Sequence, residues 1–277
     1  MSPKGPGLFS GFGHKARDIL YKDYSTEHKV SVSTDTSNGV GLTSTVLKKN
    51  GLSGGEVTCR YKHKNATLDT KVDMDSRIAS TMTVVDILPS TRAIATLKFP
   101  EYDAGKVEAQ YLHEHASFTA SCDLNKSPSV NVSATIGTPL IAFGTEASYA
   151  TRSQVLTKYN AGVRLTKPNY GVSAILADKG DTIKASCFCH PDQLKRGTIA
   201  GEMSRKLSSK ENTLTMGGSY ALDSQTLVKA TLNNHGHLGA LVQHELSPKS
   251  FLIISGSFDA LAMDKTPRLG MAVSLRP

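Results

Sequence analysis

From about His28 to the last residue, apolar and polar side chains alternate with a period of two, and turn residues interrupt the beat roughly every dozen positions. In VEAQYLHEHASFTASCDL, Val107, Ala109 and Tyr111 fall on one side, with Glu108 and Gln110 on the other. After a turn, Phe118, Ala120, Cys122 and Leu124 oppose Ser117, Thr119, Ser121 and Asp123. Successive side chains of a strand point to opposite faces, so each such run predicts a strand with one apolar and one polar face. The same beat recurs at Val57, Cys59 and Tyr61, at Tyr159, Ala161 and Val163, at Ile183, Ala185 and Cys187, and at Val228, Ala230 and Leu232. Between the runs stand hairpin residues such as Ser37-Asn38-Gly39, Asn50-Gly51, Asp103-Ala104-Gly105, Lys126-Ser127-Pro128, Lys179-Gly180-Asp181, Asn233 to Gly236 and Asp264 to Pro267. Counting segments between turns predicts roughly nineteen strands with no helical pattern between them.

That count selects an architecture. An open sheet of such size would curl, split or leave two unpaired edges. A soluble sandwich would divide into two compositionally distinct halves, and none is apparent. Closure into one barrel removes the edges, and a barrel this wide has an interior too large for side chains to fill. The polar face then lines a water-filled lumen and the apolar face meets lipid. The first segment is different in kind. In GLFSGFGHKARDILYKDY, Leu8, Phe12, Ala16 and Ile19 recur at helical spacing, with His14, Lys15, Arg17, Asp18 and Lys22 on the other side. This predicts an amphipathic helix from about Leu8 to Lys22, a retained element and not a cleaved leader. The chain therefore divides into residues 1–25, helix and hinge, and residues 26–277, an all-β transmembrane barrel.

Bulk properties narrow the chemistry. The 277 residues carry a net charge of +8, and no Trp, with a mean hydropathy of -0.23 and a pI near 9.2. No stretch approaches the roughly 18 apolar residues of a membrane helix, a test that a barrel escapes because its strands need only about 10 residues each. An excess of Lys and Arg on the polar face would favour anions in a closed lumen. No basic cluster interleaved with aromatics points to nucleic-acid binding. Cys59, Cys122, Cys187 and Cys189 are scattered, and His190 faces away from the Cys187-x-Cys189 pair, so neither a disulfide framework nor a metal site is expected. His113 and His115, and His235, His237 and His244, complete no catalytic or metal motif, so the chain is not expected to be an enzyme. The glycines at 5, 7, 11 and 13 fit neither dinucleotide-binding nor P-loop spacing, so no cofactor is expected and a nucleotide would be a permeant.

Three patches resemble a known family. The run from Gly7 to Tyr24 is similar to the N-terminal helix of the mitochondrial voltage-dependent anion channels, the eukaryotic porins, and the opening KGPGL is most similar to plant members. Tyr220-Ala221-Leu222-Asp223-Ser224, Thr226, Ala230, Leu232-Asn233-Asn234 and Gly239-Ala240-Leu241-Val242 match the family's signature, except that Thr231 stands where the pattern has Lys or Arg. Lys229, two residues earlier on the same strand face, is expected to supply that charge. The last segment, with Arg268, then Gly270, then Val273 and Leu275 separated by one residue, is similar to the sorting signal of mitochondrial barrel proteins.

The resemblance implies nineteen strands in the mitochondrial outer membrane, first and last meeting in parallel, with the helix inside the pore. It implies a voltage-gated, weakly anion-selective diffusion pore for small metabolites and anions such as ATP, ADP and phosphate, with membrane lipid as surroundings. A hexokinase-type partner and self-association are further expectations. Lys15, Arg17 and Lys22 are expected to line the pore with Lys229, because cations at a constriction between low-dielectric walls focus anions. Lys29, Lys62, Lys71, Lys98 and Lys184 are further candidates, each dependent on register. Two departures from animal members stand out: Tyr24-Ser25-Thr26 replaces a glycine-rich hinge, and Thr70 occupies the fourth-strand position of a lipid-facing acid. Competing readings are a protein-translocating barrel of the same superfamily and a soluble β-rich binding protein.

Overall fold

Strand formation follows the two-residue beat closely. The structure, a computed structural model, describes residues 5–36, 38–49, 52–100, 104–125, 127–191, 196–261 and 267–276. Nineteen strands follow one another: β1 (His28–Asp35), β2 (Val40–Lys49), β3 (Leu52–His63), β4 (Ala66–Asp73), β5 (Ile78–Val85), β6 (Thr91–Phe99), β7 (Gly105–Leu112), β8 (Ala116–Leu124), β9 (Ser129–Gly137) and β10 (Ile141–Ala150). They continue with β11 (Val155–Thr166), β12 (Tyr170–Ala177), β13 (Thr182–Cys189), β14 (Gly197–Lys206), β15 (Asn212–Ala221), β16 (Thr226–Asn233), β17 (His237–Ser247), β18 (Ser250–Asp259) and β19 (Arg268–Leu275). The turn residues Ser37, Asn50, Gly51, Asp103, Lys126 and 264–266, and Lys4 of the opening motif, lie outside the described residues.

Each strand pairs antiparallel with the next, and β1 also pairs in parallel with β19, from His28 opposite Met271 to Val32 opposite Leu275. An odd count forces this: in an up-and-down meander the nineteenth strand runs the same way as the first. Closure leaves no unpaired edge, the condition for a sheet in lipid. At the seam the Arg276 guanidinium pairs with the Asp35 carboxylate. Among the described residues no helix is long and apolar enough to cross a membrane.

Register keeps the two faces continuous around the ring. Ser117, Thr119, Ser121 and Asp123 of β8 stand opposite Thr135, Ser133, Asn131 and Ser129 of β9. Hydroxyl pairs Ser31–Thr45 (3.1 Å), Ser33–Thr43 (3.0 Å) and Thr81–Thr96 (3.3 Å) lie on this polar face. The other face presents exposed Val107, Phe118, Val132, Phe143 and Tyr159. Thr70 belongs to this outer face, with its hydroxyl 3.5 Å from that of Ser80 on β5.

The N-terminal segment touches the polar face from Ser117 on β8 to Gly270 on β19. So short a segment reaches strands across more than half the ring only from inside, which makes the polar face the lumen wall. The continuous helix expected over Leu8–Lys22 is instead broken. A 3-10 turn spans Phe9–Gly11 and a seven-residue helix, α1, spans His14–Leu20. Gly13 between them adopts φ 71, a left-handed conformation that ends one helical path and starts another. Phe9, Phe12, Ala16 and Leu20 are buried, with Ile19 packed beside Ala16 and Leu20.

Candidate functional site in the lumen

A seven-residue helix is too short to persist in water by itself, so α1 depends on what it packs against. Phe9 and Phe12 bury against Ala142 of β10 with Ile175 beside them, and their rings lie 5.1 Å apart. Ala16 and Leu20 bury against Phe188 of β13 and Ala200 of β14. Each large apolar side chain so buried contributes about 1.5–3 kcal/mol. The wall accommodates them with glycine: a Cβ on Gly144 would lie 2.5 Å from Phe9 Cδ2, and one on Gly217 would lie 2.9 Å from Leu20 Cδ2.

Polar contacts fix the segment at intervals. At the front, Ser117 Oγ donates to the Gly7 carbonyl (2.7 Å) and Arg164 Nη2 donates to the Pro6 carbonyl. Across the break, Arg17 Nη2 donates to the Phe12 carbonyl at 2.6 Å. Behind α1, the Tyr21 hydroxyl lies 3.2 Å from Glu202 Oε1 and 3.3 Å from Thr215 Oγ1. Lys229 Nζ meets Asp23 Oδ2 at 3.4 Å. The Tyr24 ring rests over Gly239, and burial pushes its phenol up to about 12. Ser255 Oγ donates to the Ser25 carbonyl, which abuts Gly270.

The residues singled out from the sequence therefore sit in different surroundings. Lys15 is exposed, its Nζ 5.0 Å from the centroid of the Phe188 ring. Arg17 is exposed too, but its guanidinium is engaged by the segment's own backbone. Lys22 is exposed on the same segment. Lys229 faces inward but lies beneath the segment, only 8% exposed and ion-paired. Thr231, on the same face, stands opposite Gly239. Gly270 points inward, whereas Val273 and Leu275 point outward and stand opposite Val30 and Val32. Lys29, Lys62, Lys71, Lys98 and Lys184 all fall on the inward register.

Charge is distributed unevenly on the wall. On β7–β11, Lys106 pairs with Glu108 (2.9 Å), Lys158 pairs with Glu146 (3.2 Å), and Asn160 Nδ2 donates to Glu146 at 2.9 Å. On β3 and β4, Arg60 pairs with Asp69 (2.6 Å) and Lys71 pairs with Glu56. Lys29, Lys62, Arg92 and Lys98 face the part of the lumen that the segment leaves bare, and they make no ion pair among the described residues. Among the described residues no group of His, Cys, Asp and Glu could hold a metal.

The sequence pattern singles out neither Arg164 nor Asp23 as a site residue. The alternation does place Arg164 inward between Val163 and Leu165, but its partner Pro6 lies 158 positions away. Asp23 meets Lys229 across 206 positions. No local pattern carries either pairing.

A closed nineteen-stranded sheet, polar within and apolar without, with a plug-like segment docked on its inner wall, defines a membrane pore. The chain belongs to the eukaryotic porin family, whose family model matches residues 5–270. It is 50% identical over 274 residues, 99% of each chain, to "Mitochondrial outer membrane protein porin 2" of Arabidopsis thaliana. It is 50% identical over 277 residues, the whole of both chains, to "Mitochondrial outer membrane protein porin 5" of Oryza sativa subsp. japonica. The mitochondrial outer membrane is thus its compartment and pore formation its activity. A mutant of Rh. blastica porin superposes with a TM-score of 0.53 at 8% identity, covering 88% of this chain and 94% of the other, a likeness of fold alone.

Proposed function

We propose that the protein is a voltage-gated, weakly anion-selective diffusion pore for small metabolites and anions, including ATP, ADP and phosphate. The observation that carries this reading is the set of inward cations without ion pairs among the described residues on the bare wall, Lys29, Lys62, Arg92 and Lys98, together with exposed Lys15 on the segment. Fixed cations around an aqueous path between low-dielectric walls raise the local anion concentration and lower that of cations. Lys22 adds to this field. Arg17 acts chiefly within the segment, and Lys229 acts as an anchor because Asp23 neutralises it. A segment held by short contacts and fixed charges is a natural voltage-responsive element, since moving its charge across the membrane field changes its energy.

Reconstitution into a planar bilayer under a salt gradient tests the reading. The expected result is a reversal potential of anion-preferring sign, reduced or inverted by the joint substitutions Lys62→Glu and Lys98→Glu, with conductance falling in steps at high potential of either sign. Cation preference in the unaltered chain would sink it. Self-association and docking of a hexokinase-type partner carry over from the family resemblance as part of the proposal, and co-sedimentation of liposome-borne pore with purified kinase tests the latter.

A further inference from the structure

Arg164 differs from the other inward cations of the barrel. It lies on β11 opposite Ala142 of β10 and Ser173 of β12, is partly buried, and forms no ion pair among the described residues. Its Nε is buried without a hydrogen-bond partner among the described residues. What it touches is the front of the N-terminal segment. Nη2 donates to the Pro6 carbonyl, and the guanidinium carbon stands 5.2 Å from the centroid of the Phe12 ring. A Cβ on Gly7 or Gly11 would lie 3.6 or 3.9 Å from its nitrogens, ordinary contact distances, so the backbone at both positions runs alongside the cation, at Gly7 with φ 68. Phe12 itself is fully buried.

The planar guanidinium meets the Pro6 carbonyl and the Phe12 ring at once with donors held in a rigid fork, which the compact, strongly hydrated ammonium of a lysine does not reproduce. The front of the segment therefore closes over part of the cation, meeting it with one carbonyl and one ring. The rear is fastened separately, by Lys229 to Asp23 and by Ser255 to Ser25. Gly13, at φ 71, divides the two parts.

We propose that Arg164 is the positioning residue that fastens the front of the N-terminal segment, Gly5 to Phe12, to the lumen wall, independently of the rear anchors. When the front is seated the cation is partly covered. When it lifts, the guanidinium stands fully exposed to the path and its positive charge acts there more strongly. The fastening stands on geometry alone, and only its electrical consequence rests on the gating reading above.

The test uses the full chain in lipid bilayers, with the four cysteines replaced by serine and a nitroxide label at Ser10→Cys or, as the rear control, at Lys22→Cys. Arg164→Ala is expected to raise the ratio of mobile to immobile signal at position 10 by about tenfold or more, the effect of losing a hydrogen bond to a charged group. The label at position 22 should not change. Arg164→Lys should resemble Arg164→Ala, and Phe12→Leu, which leaves the cation in place, should mobilise position 10 in part. An unchanged spectrum at position 10 in Arg164→Ala, a wild-type spectrum in Arg164→Lys, or equal mobilisation of position 22 would each overturn the proposal. Conductance recorded on the same proteins separates the two readings: mobilisation at position 10 without voltage steps in any of them leaves the latch standing and removes the gating reading.

Discussion

Gly270 carries two constraints at one position. Its place in the terminal pattern resembles a sorting signal, and its inward side meets the backbone carbonyl of Ser25, where even a methyl group would collide. Backbone cannot swing aside as the end of a long side chain can, so Gly270→Ala is expected to destabilise the refolded barrel by about 1–3 kcal/mol, the range of overpacking. Urea unfolding midpoints at fixed lipid ratio check this, with no import step involved. Val273→Ala, on the outward face, should leave the linker seated. Tyr24 supplies a pH-dependent counterpart. Burial raises its phenol from 10.0 to about 12, so the seated form holds a proton that the released form has lost. Its contribution is complete below pH 10 and is lost as pH rises from there through about 12. Phenolate absorbance and segment release measured over that interval should rise together in the unaltered chain, and Tyr24→Phe should flatten the release curve.

At the scale of elements, the break in the N-terminal segment separates two docking sites. Phe9, Phe12, Ala16 and Leu20 would share one face of a straight helix, yet Phe9 and Phe12 bury against Ala142 of β10 whereas Ala16 and Leu20 bury on β13 and β14. The left-handed turn at Gly13 lets both rings seat while Ala16 and Leu20 meet Phe188 and Ala200. Gly13→Ala places a side chain in a conformation that costs about 1–2 kcal/mol, and its Cβ would lie 2.6 Å from Ser186 Oγ. The expected outcome is a loosened segment, read as faster tryptic cleavage after Lys15 and Arg17 in the assembled pore. The missing glycine-rich hinge takes on meaning here too. Tyr24 and Ser25 are pinned to β17, β18 and β19, so the glycine that redirects the chain is Gly13, between the two docked parts, and not one in the linker.

For the whole molecule, lipid and water apply opposite demands to adjacent residues on one strand. Val132 and Ser133 of β9 point to opposite sides of the wall, Val132 exposed on the outer face. Val132→Lys is therefore expected to cost about 2–4 kcal/mol near the bilayer midplane, whereas Ser133→Lys should fold normally and raise anion preference. Paired measurements of unfolding in lipid and of reversal potential distinguish the two. The apolar outer surface that would be a liability in water is the condition for residence in the membrane, and closure of β1 on β19 makes that residence possible by leaving no amide unpaired at an edge.

The alternation of side chains by itself determines most of this architecture. A period of two fixes which residues share a face, and enough repeats of it exclude an open sheet, so strand number, closure, polar lumen and apolar exterior were legible from runs such as Phe118 to Leu124. The terminal resemblance supplied the parallel seam and the membrane. What only the tertiary structure decided is which polar residues the N-terminal segment covers. Lys229 reads as one more inward lysine until Asp23 is found over it, and Arg164 as one more inward arginine until Pro6 and Phe12 close on it. The apolar spacing around Gly13 stays helical, so the sequence predicts no break, and the left-handed turn belongs to a segment seated on the wall through Phe9 and Phe12. Local period is a property of neighbouring residues, whereas these contacts join positions more than 150 apart and exist only once the ring has closed.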